Sequence, residues 1–122
     1  MGVDINMTRE FVRLPEFDKQ CKFIGLDEDD IKEIETAIMD NPNIGVLMPE
    51  TGGVRKFRIV LPNRGKSGGA RVVYVDFASF SITYLLSVFP KSDKVNLSRA
   101  ERNAFRKLVG ILKNELRKKG NL

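Results

Sequence analysis

Histidine and tryptophan are absent from the 122 residues of this chain, and cysteine occurs once. Without histidine, acid–base chemistry near neutral pH has to rely on other groups. This argues against a hydrolytic triad, a two-histidine ribonuclease and a histidine-ligated metal centre. The single Cys21 forms no disulfide within the chain, and we expect it to be a small buried residue in a protein of the reducing cytoplasm.

Long hydrophobic runs are also missing. No stretch approaches the roughly 18–20 apolar residues that a membrane-spanning helix needs, and no secretory segment follows Met1. Carboxylates outside the first predicted helices are isolated from one another, so we expect neither a metal site nor a cofactor. The length suits one domain. We place this domain at residues 8–119, after a leader at 1–7 that we expect to be disordered.

Acidic residues are scarce in the second part of the chain. Residues 1–51 contain five cations and twelve acids, whereas residues 52–122 contain sixteen cations and four acids. Such a basic half is typical of proteins that bind a polyanion, with nucleic acid as the first candidate. A basic surface that only faces solvent is the alternative, and charge alone does not decide between the two.

The segment from Thr51 to Arg71 concentrates this positive charge. It contains six cations and no acidic residue, and a Gly-Gly pair lies near each end. Within it, the alternation in Val54–Leu61 predicts a strand with Lys56 and Arg58 on one face and apolar side chains on the other. A strand face that carries cations has to meet water or an anion. We therefore expect this segment to form part of a basic, RNA-facing surface.

The order of predicted elements is β-α-α-β-β-β-α, an α+β fold. Proline and glycine delimit the first helix, and Asp27 caps the second. Three consecutive strands then predict an antiparallel meander, and Ser98 with Glu101 forms a capping box before a long basic helix. We expect all helices to pack on one face of a small antiparallel sheet and the other, basic face to stay open. The predicted strands are Thr8–Leu14, Val54–Leu61, Ala70–Phe77 and Phe80–Phe89, with Ile44–Glu50 as a loop.

Three motifs in this order resemble the RelE/ParE toxin superfamily, and its HigB-like branch of ribosome-dependent mRNA interferases in particular. They are TGGVRKFRI, then GGARVVY after a Gly/Lys-rich loop, and FPKSDKVNLS before the last helix. The resemblance covers roughly residues 8–119. It implies a RelE-like fold and a cytoplasmic toxin of a type II toxin–antitoxin system that needs no metal. Such a toxin cuts mRNA in the ribosomal A site and is held inactive by a cognate antitoxin, here of the helix-turn-helix, HigA-like kind.

Residue by residue, the resemblance implies a catalytic set made of basic side chains. Arg71 is the first choice to bind the scissile phosphate, because its planar guanidinium donates two parallel hydrogen bonds. The general base stays open among Lys56, Lys91 and Tyr74. Additional contacts to mRNA or ribosomal RNA fall on the loop cations and on two further side chains. The predicted catalytic residues are Lys56, Arg58, Arg71 and Lys91, and the predicted RNA-binding residues are Arg55, Arg64, Lys66, Tyr74 and Phe89.

Phe89 departs from the family pattern, in which many members carry a tyrosine. A phenyl ring can stack on a base but cannot exchange a proton. Tyr84 shares its strand parity with Ile82, Leu86 and Val88, so we expect it in the core. Two other functions remain open at this point. One is a ParE-like toxin that inhibits gyrase through protein–protein contact, and the other is a basic domain that binds RNA without cutting it.

Overall fold

A five-stranded sheet forms the centre of the molecule. A computed structural model describes residues 9–60, 69–90 and 96–120, and the predicted leader at 1–7 lies outside these ranges. The strands follow one another across the sheet in the order β1-β5-β4-β3-β2. Their bounds are β1 Glu10–Arg13, β2 Val46–Leu47, β3 Val54–Val60, β4 Gly69–Phe77 and β5 Ile82–Pro90. The helices are α1 Pro15–Ile24, α2 Glu28–Asp40 and α3 Arg99–Gly120.

The predicted meander is present, but the sheet is mixed. β3, β4 and β5 pair antiparallel in chain order, as the sequence predicts. β1 instead pairs parallel with β5, so the prediction of a purely antiparallel sheet is wrong. β1 is separated from β5 by most of the chain, and parallel neighbours need a long connection, which α1, α2 and the meander supply. The predicted loop Ile44–Glu50 also contains the two-residue strand β2, which pairs with β3.

The first two helices begin and end where local chemistry predicts. Pro15 starts α1, and Gly25 ends it in the left-handed conformation with a φ of 80°, which glycine adopts without a Cβ clash. At α2, the Asp27 side chain accepts a hydrogen bond from the Asp30 N–H while the Asp30 side chain accepts one from the Asp27 N–H. This reciprocal cap confirms the prediction that Asp27 caps the second helix.

Helices cover both faces of the sheet, which corrects the prediction that they share one face. Ala70, Val72 and Tyr74 of β4 pack in one core with residues of α1 and α2. Val73 and Val75 point the other way and pack with Val109 and other residues of α3. The uninterrupted apolar run in β4 is the signal for this arrangement, because a strand that is buried on both faces has no polar alternation.

A buried ion pair ties the start of the described chain to the sheet. Arg9 donates to both carboxylate oxygens of Asp76 at 2.8 and 2.9 Å, and Thr83 Oγ1 donates to Asp76 Oδ1 at 2.7 Å. The hydrogen bonds to Asp76 raise the pKa of Arg9. Arg13 of β1 makes a second pair, with Glu28 of α2, at 2.9 Å. These contacts join β1 to β4, β5 and α2.

The last helix starts at the predicted capping box. Ser98 Oγ accepts from the Glu101 N–H at 3.1 Å, and Glu101 Oε1 accepts from the Ser98 N–H at 2.9 Å. Val109 and Leu116 are buried against the sheet, while the lysines of the helix are exposed. Within the described ranges, no helix is both long and apolar enough to cross a membrane.

Candidate functional site

Three of the predicted catalytic cations lie on the face of the sheet that α3 packs against. Val54 belongs to the core below α3, and Lys56 and Arg58 follow it at the spacing of two that keeps side chains on one face of a strand. Arg71 of β4 lies directly opposite Arg58 of β3, which places it on the same face. Arg71 thus shares the cationic face of Lys56 and Arg58.

Phe89 joins these residues through a row that crosses three strands. Arg58 on β3 pairs with Arg71 on β4, and Arg71 pairs with Phe89 on β5. Directly opposite residues of antiparallel strands have Cβ atoms about 4.5–5.5 Å apart. Two arginines and one aromatic ring therefore stand side by side at the loop end of the meander. We refer to Lys56, Arg58, Arg71 and Phe89 as the basic site.

A β-bulge in β5 gives Phe89 this orientation. Val73 pairs with Ser87 and Tyr74 pairs with Leu85, so Leu86 has no partner in the register. The extra residue reverses the alternation of β5: Tyr84 lies in the α3 core, whereas Val88 lies in the α1–α2 core. The prediction that Tyr84 and Val88 lie on the same face of the sheet is therefore wrong. Without the bulge, Phe89 would point away from Arg71.

The basic site opens into a shallow cavity of about 220 Å³. Lys56, Arg58 and Arg71 line it together with Phe57 and Val46 of the neighbouring strand β2. Arg58 is exposed, and Lys56, Arg71 and Phe89 are half-buried. Like charges that face each other directly on a sheet are destabilising. Cations brought together at this distance are suited to an anion that contacts several of them, and a phosphate fits the forked geometry of arginine.

Arg55 does not belong to this group. It alternates with Lys56 and thus lies on the other face of β3, where its Nη1 donates a 2.8 Å hydrogen bond to the carbonyl oxygen of Gly45. Arg55 therefore does not share the face of Lys56 and Arg58, and its predicted role as an RNA contact stays a prediction. This hydrogen bond to Gly45 holds the segment before β2 against the sheet.

Tyr74 is fully buried in the α1–α2 core, on the face opposite the basic site. Its hydroxyl donates to the Pro42 carbonyl at 2.7 Å and accepts from the Gly45 N–H at 3.0 Å. Burial raises the pKa of Tyr74 above its ordinary value. A Cβ on Gly45 would lie 2.9 Å from the Tyr74 ring, which shows how closely the backbone approaches. This position disagrees with the predicted role of Tyr74 as a general base or RNA contact.

Tyr84 and Cys21 occupy the positions that the sequence predicts. Tyr84 is 8% exposed in the α3 core, packs edge-on against Phe77, and has its pKa raised by burial. Cys21 is 3% exposed in the α1–α2 core, and burial raises the pKa of its thiol to about 12. A thiol that keeps its proton is a poor nucleophile. Both residues therefore serve the core.

Three predicted site residues lie outside the described residues: Arg64, Lys66 and Lys91. Their predicted roles remain predictions. Within the described ranges, no group of three or more cysteine or carboxylate side chains is arranged to hold a metal ion. Sequence reasoning missed Val46, which pairs with Lys56 across β2 and β3 and forms one wall of the cavity. Its only signal was a short apolar pair inside a predicted loop.

The chain matches a known protein-family model over most of its length. The model of the RelE toxin of the RelE/RelB toxin–antitoxin system matches residues 17–119. This range runs from the first turn of α1 almost to the end of α3, and it includes every residue of the basic site. The three helices and the mixed sheet agree with the RelE-like α+β fold that the sequence motifs imply. The chain belongs to the RelE toxin family.

Proposed function

We propose that this toxin is an endoribonuclease that cuts mRNA in the ribosomal A site and thereby stops translation. The observation that carries the proposal is the row Arg58–Arg71–Phe89, with Lys56 lining the same cavity as the two arginines. Fixed cations and an aromatic ring on one surface match the phosphates and the bases of a single RNA strand. Family membership supports the toxin role, and the geometry of the basic site supports the chemistry.

The reaction that fits this site is transfer of a phosphoryl group within the RNA strand. The ribose 2′-oxygen attacks the adjacent phosphorus and loses its proton to a base. The bond from phosphorus to the 5′-oxygen breaks, and the 5′-oxygen takes up a proton from an acid. The products are a 2′,3′-cyclic phosphate and a free 5′-hydroxyl. Neither water nor a histidine is required for this step.

Arg71 is the residue best suited to stabilise the phosphorane-like transition state. It lies in the middle of the row, between Arg58 and Phe89, and its position on a central strand fixes its backbone on both sides. Negative charge grows on the non-bridging oxygens as the 2′-oxygen approaches, and donors held in place for that charge lower the barrier. Arg58 is more exposed and is suited to hold the neighbouring phosphate of the strand.

The side-chain amine of Lys56 lines the cavity beside both arginines. An amine there can accept the 2′-hydroxyl proton in its neutral form, or protonate the leaving 5′-oxygen in its charged form. Lys91 remains the other candidate for these proton transfers. Phe89 can hold a base by stacking, which is worth about 1–3 kcal/mol for one base. Because Phe89 has no hydroxyl, the proposed mechanism assigns it no proton transfer.

The proposal includes the partners that follow from the toxin role. We propose a cognate antitoxin of the helix-turn-helix, HigA-like kind, contacts with ribosomal RNA through Arg64 and Lys66, and action in the cytoplasm. The HigB-like branch is our assignment within the family, and it rests on the three sequence motifs. A neighbouring reading frame that encodes a small helix-turn-helix protein would support it.

The test combines toxicity with direct mapping of mRNA ends. Induced expression of the wild-type protein in a bacterium should stop growth, and mRNA should be cut within codons near the start of reading frames. Arg71→Ala and Lys56→Ala should each lower the cleavage rate on purified ribosomes by about 10²–10³-fold, the usual effect of removing one transition-state donor. Lys113→Ala removes an exposed cation from α3 and should cleave like the wild type.

Circular dichroism of all three variants establishes that each is folded. If Arg71→Ala and Lys56→Ala stay fully toxic while folded, the assignment of the site is wrong. Growth arrest with intact mRNA and a DNA-damage response would favour the gyrase-inhibiting alternative. A wild-type protein that binds RNA but neither cuts it nor arrests growth would favour the non-catalytic alternative.

A further inference from the structure

A second cavity lies where the edge strand β2 meets the start of α3. Its volume is about 390 Å³, which falls within the range of about 300–1,000 Å³ that is typical of small-ligand pockets. Met48, Pro49 and Leu97 supply apolar walls, and Asn96 and Arg102 supply polar groups. We call it the edge cavity. Neither the sequence motifs nor the proposed catalytic steps give it a role.

The edge cavity adjoins the basic site. Lys56 and Val46 line both cavities, and these two residues lie directly opposite each other on β3 and β2. A nucleotide next to a phosphate that contacts Lys56 is therefore within reach of the mouth of the edge cavity. Charge also fits this occupant, because Lys56 stands at one side of the edge cavity and Arg102 at another.

The walls suit a flat aromatic ring with polar edges. Arg102 is held in place, since its Nη1 donates a 2.8 Å hydrogen bond to the Leu97 carbonyl oxygen and its Nε lies 3.3 Å from Glu50 Oε1. RNA-binding proteins stack unpaired bases on guanidinium planes and on apolar side chains. The exposed amide of Asn96 offers both a donor and an acceptor, which is what reading a base edge requires.

We propose that the edge cavity binds one nucleobase of the mRNA codon, next to the phosphate that the basic site holds, and that it sets the codon preference of the toxin. This inference rests on the proposed ribonuclease function. Asn96 reads the edge of the base, and Arg102 with Leu97 binds its face. The preference for a codon thus comes from the edge strand and the start of α3, and the basic site supplies the cleavage common to all codons.

The experiment measures codon preference separately from overall activity. Purified toxin is mixed with ribosomes that carry a set of mRNAs differing in one base of the A-site codon, and the cleavage rate is determined for each. Asn96→Ala removes the polar reader. Pro49→Trp fills the edge cavity from an exposed wall residue that does not line the cavity of the basic site. Asn114→Ala and Ile111→Trp make comparable changes at exposed positions of α3 and serve as controls.

The inference predicts that Asn96→Ala reduces the discrimination at one codon position by about tenfold, within the range of a single good base contact. Pro49→Trp should abolish the preference at that position while the poorest codons are cut at the wild-type rate. Both control variants should keep the wild-type profile. A fluorescent 2-aminopurine placed at that position should change its emission with the wild type and with Ile111→Trp, but not with Pro49→Trp.

Two results would overturn the inference while the proposed function stands. In one, all four variants cut every codon with the wild-type profile. In the other, Pro49→Trp keeps the wild-type profile but is no longer neutralised by the antitoxin encoded beside it, which would make the edge cavity a protein-binding site. If the wild type cuts no codon on any ribosome complex, the proposed function itself fails, and this outcome differs from both.

Discussion

Removing the hydroxyl of Tyr74 should destabilise the protein without changing its proposed chemistry. That hydroxyl connects β4 to the segment that leads into β2, through hydrogen bonds with Pro42 and Gly45. In Tyr74→Phe, the buried Gly45 N–H loses its acceptor. A net hydrogen bond is worth about 1 kcal/mol, and a buried donor without an acceptor costs about 1–3 kcal/mol. We therefore expect the free energy of unfolding to fall by about 2–4 kcal/mol.

The measurement is urea unfolding followed by circular dichroism, combined with codon-resolved cleavage at a temperature where both proteins are folded. Tyr84→Phe is the matched control, because Tyr84 is also buried and, among the described residues, no hydrogen bond of its hydroxyl is found. This control should change the free energy of unfolding by less than about 0.5 kcal/mol, because it keeps the ring and removes no hydrogen bond that the described residues show. Cleavage per folded molecule should equal that of the wild type in both variants.

Two results would refute this reasoning. If Tyr74→Phe is as stable as Tyr84→Phe, the two hydrogen bonds do not contribute as the geometry suggests. If Tyr74→Phe is folded but cleaves a hundredfold more slowly, the tyrosine takes part in the chemistry and the basic site is incomplete without it. Loss of stability alone, with unchanged cleavage, would confirm that Tyr74 supports the sheet from the opposite face.

Two further predictions concern the charges of the site and the buried thiol. Arg58→Gln removes one of two directly opposed arginines and thereby their mutual repulsion. It should raise the free energy of unfolding, measured by urea titration, by about 0.2–1 kcal/mol, and it should slow cleavage. A clear loss of stability would contradict the argument from repulsion. Burial raises the pKa of Cys21 from its ordinary 9.0 to about 12. The folded state therefore binds more protons than the unfolded state within that window, and stability should fall as pH rises through it. The stability of Cys21→Ala should fall less steeply over the same pH range. Equal slopes for Cys21→Ala and the wild type would contradict the raised pKa of Cys21.

Local sequence patterns predicted most of the elements correctly because their signals are local. Pro15, Gly25 and the caps at Asp27 and Ser98 act within one turn of their helices, and the structure shows each of them. β2 was missed since two exposed apolar residues carry no periodicity of their own. It exists because β3 offers a free edge for pairing, which is a property of the folded sheet.

The candidate site was predictable in its chemistry but only partly in its geometry. Lys56, Arg58 and Arg71 do share a face: alternation predicts this for Lys56 and Arg58, and the pairing of Arg58 with Arg71 adds Arg71. Alternation along β3 and β4 also predicts the faces on which Arg55 and Tyr74 lie, once it is known that helices cover both faces of the sheet. The orientation of Phe89 could not, because the bulge at Leu86 depends on the pairing of β5 with β4. A change of register of one residue reverses every side chain that follows.

The parallel pairing of β1 with β5 also determines when this toxin can assemble during its own synthesis. β1 is among the first described segments to leave the ribosome, yet it has no place in the sheet until Ile82–Leu85 have been made. α1 likewise packs into a core that contains Leu85 and Val88. Long-range pairings of this kind form late because the chain between them must first close into a loop. The basic site needs Phe89 as well, so a ribosome producing this protein has completed nearly three quarters of the chain before the site can form.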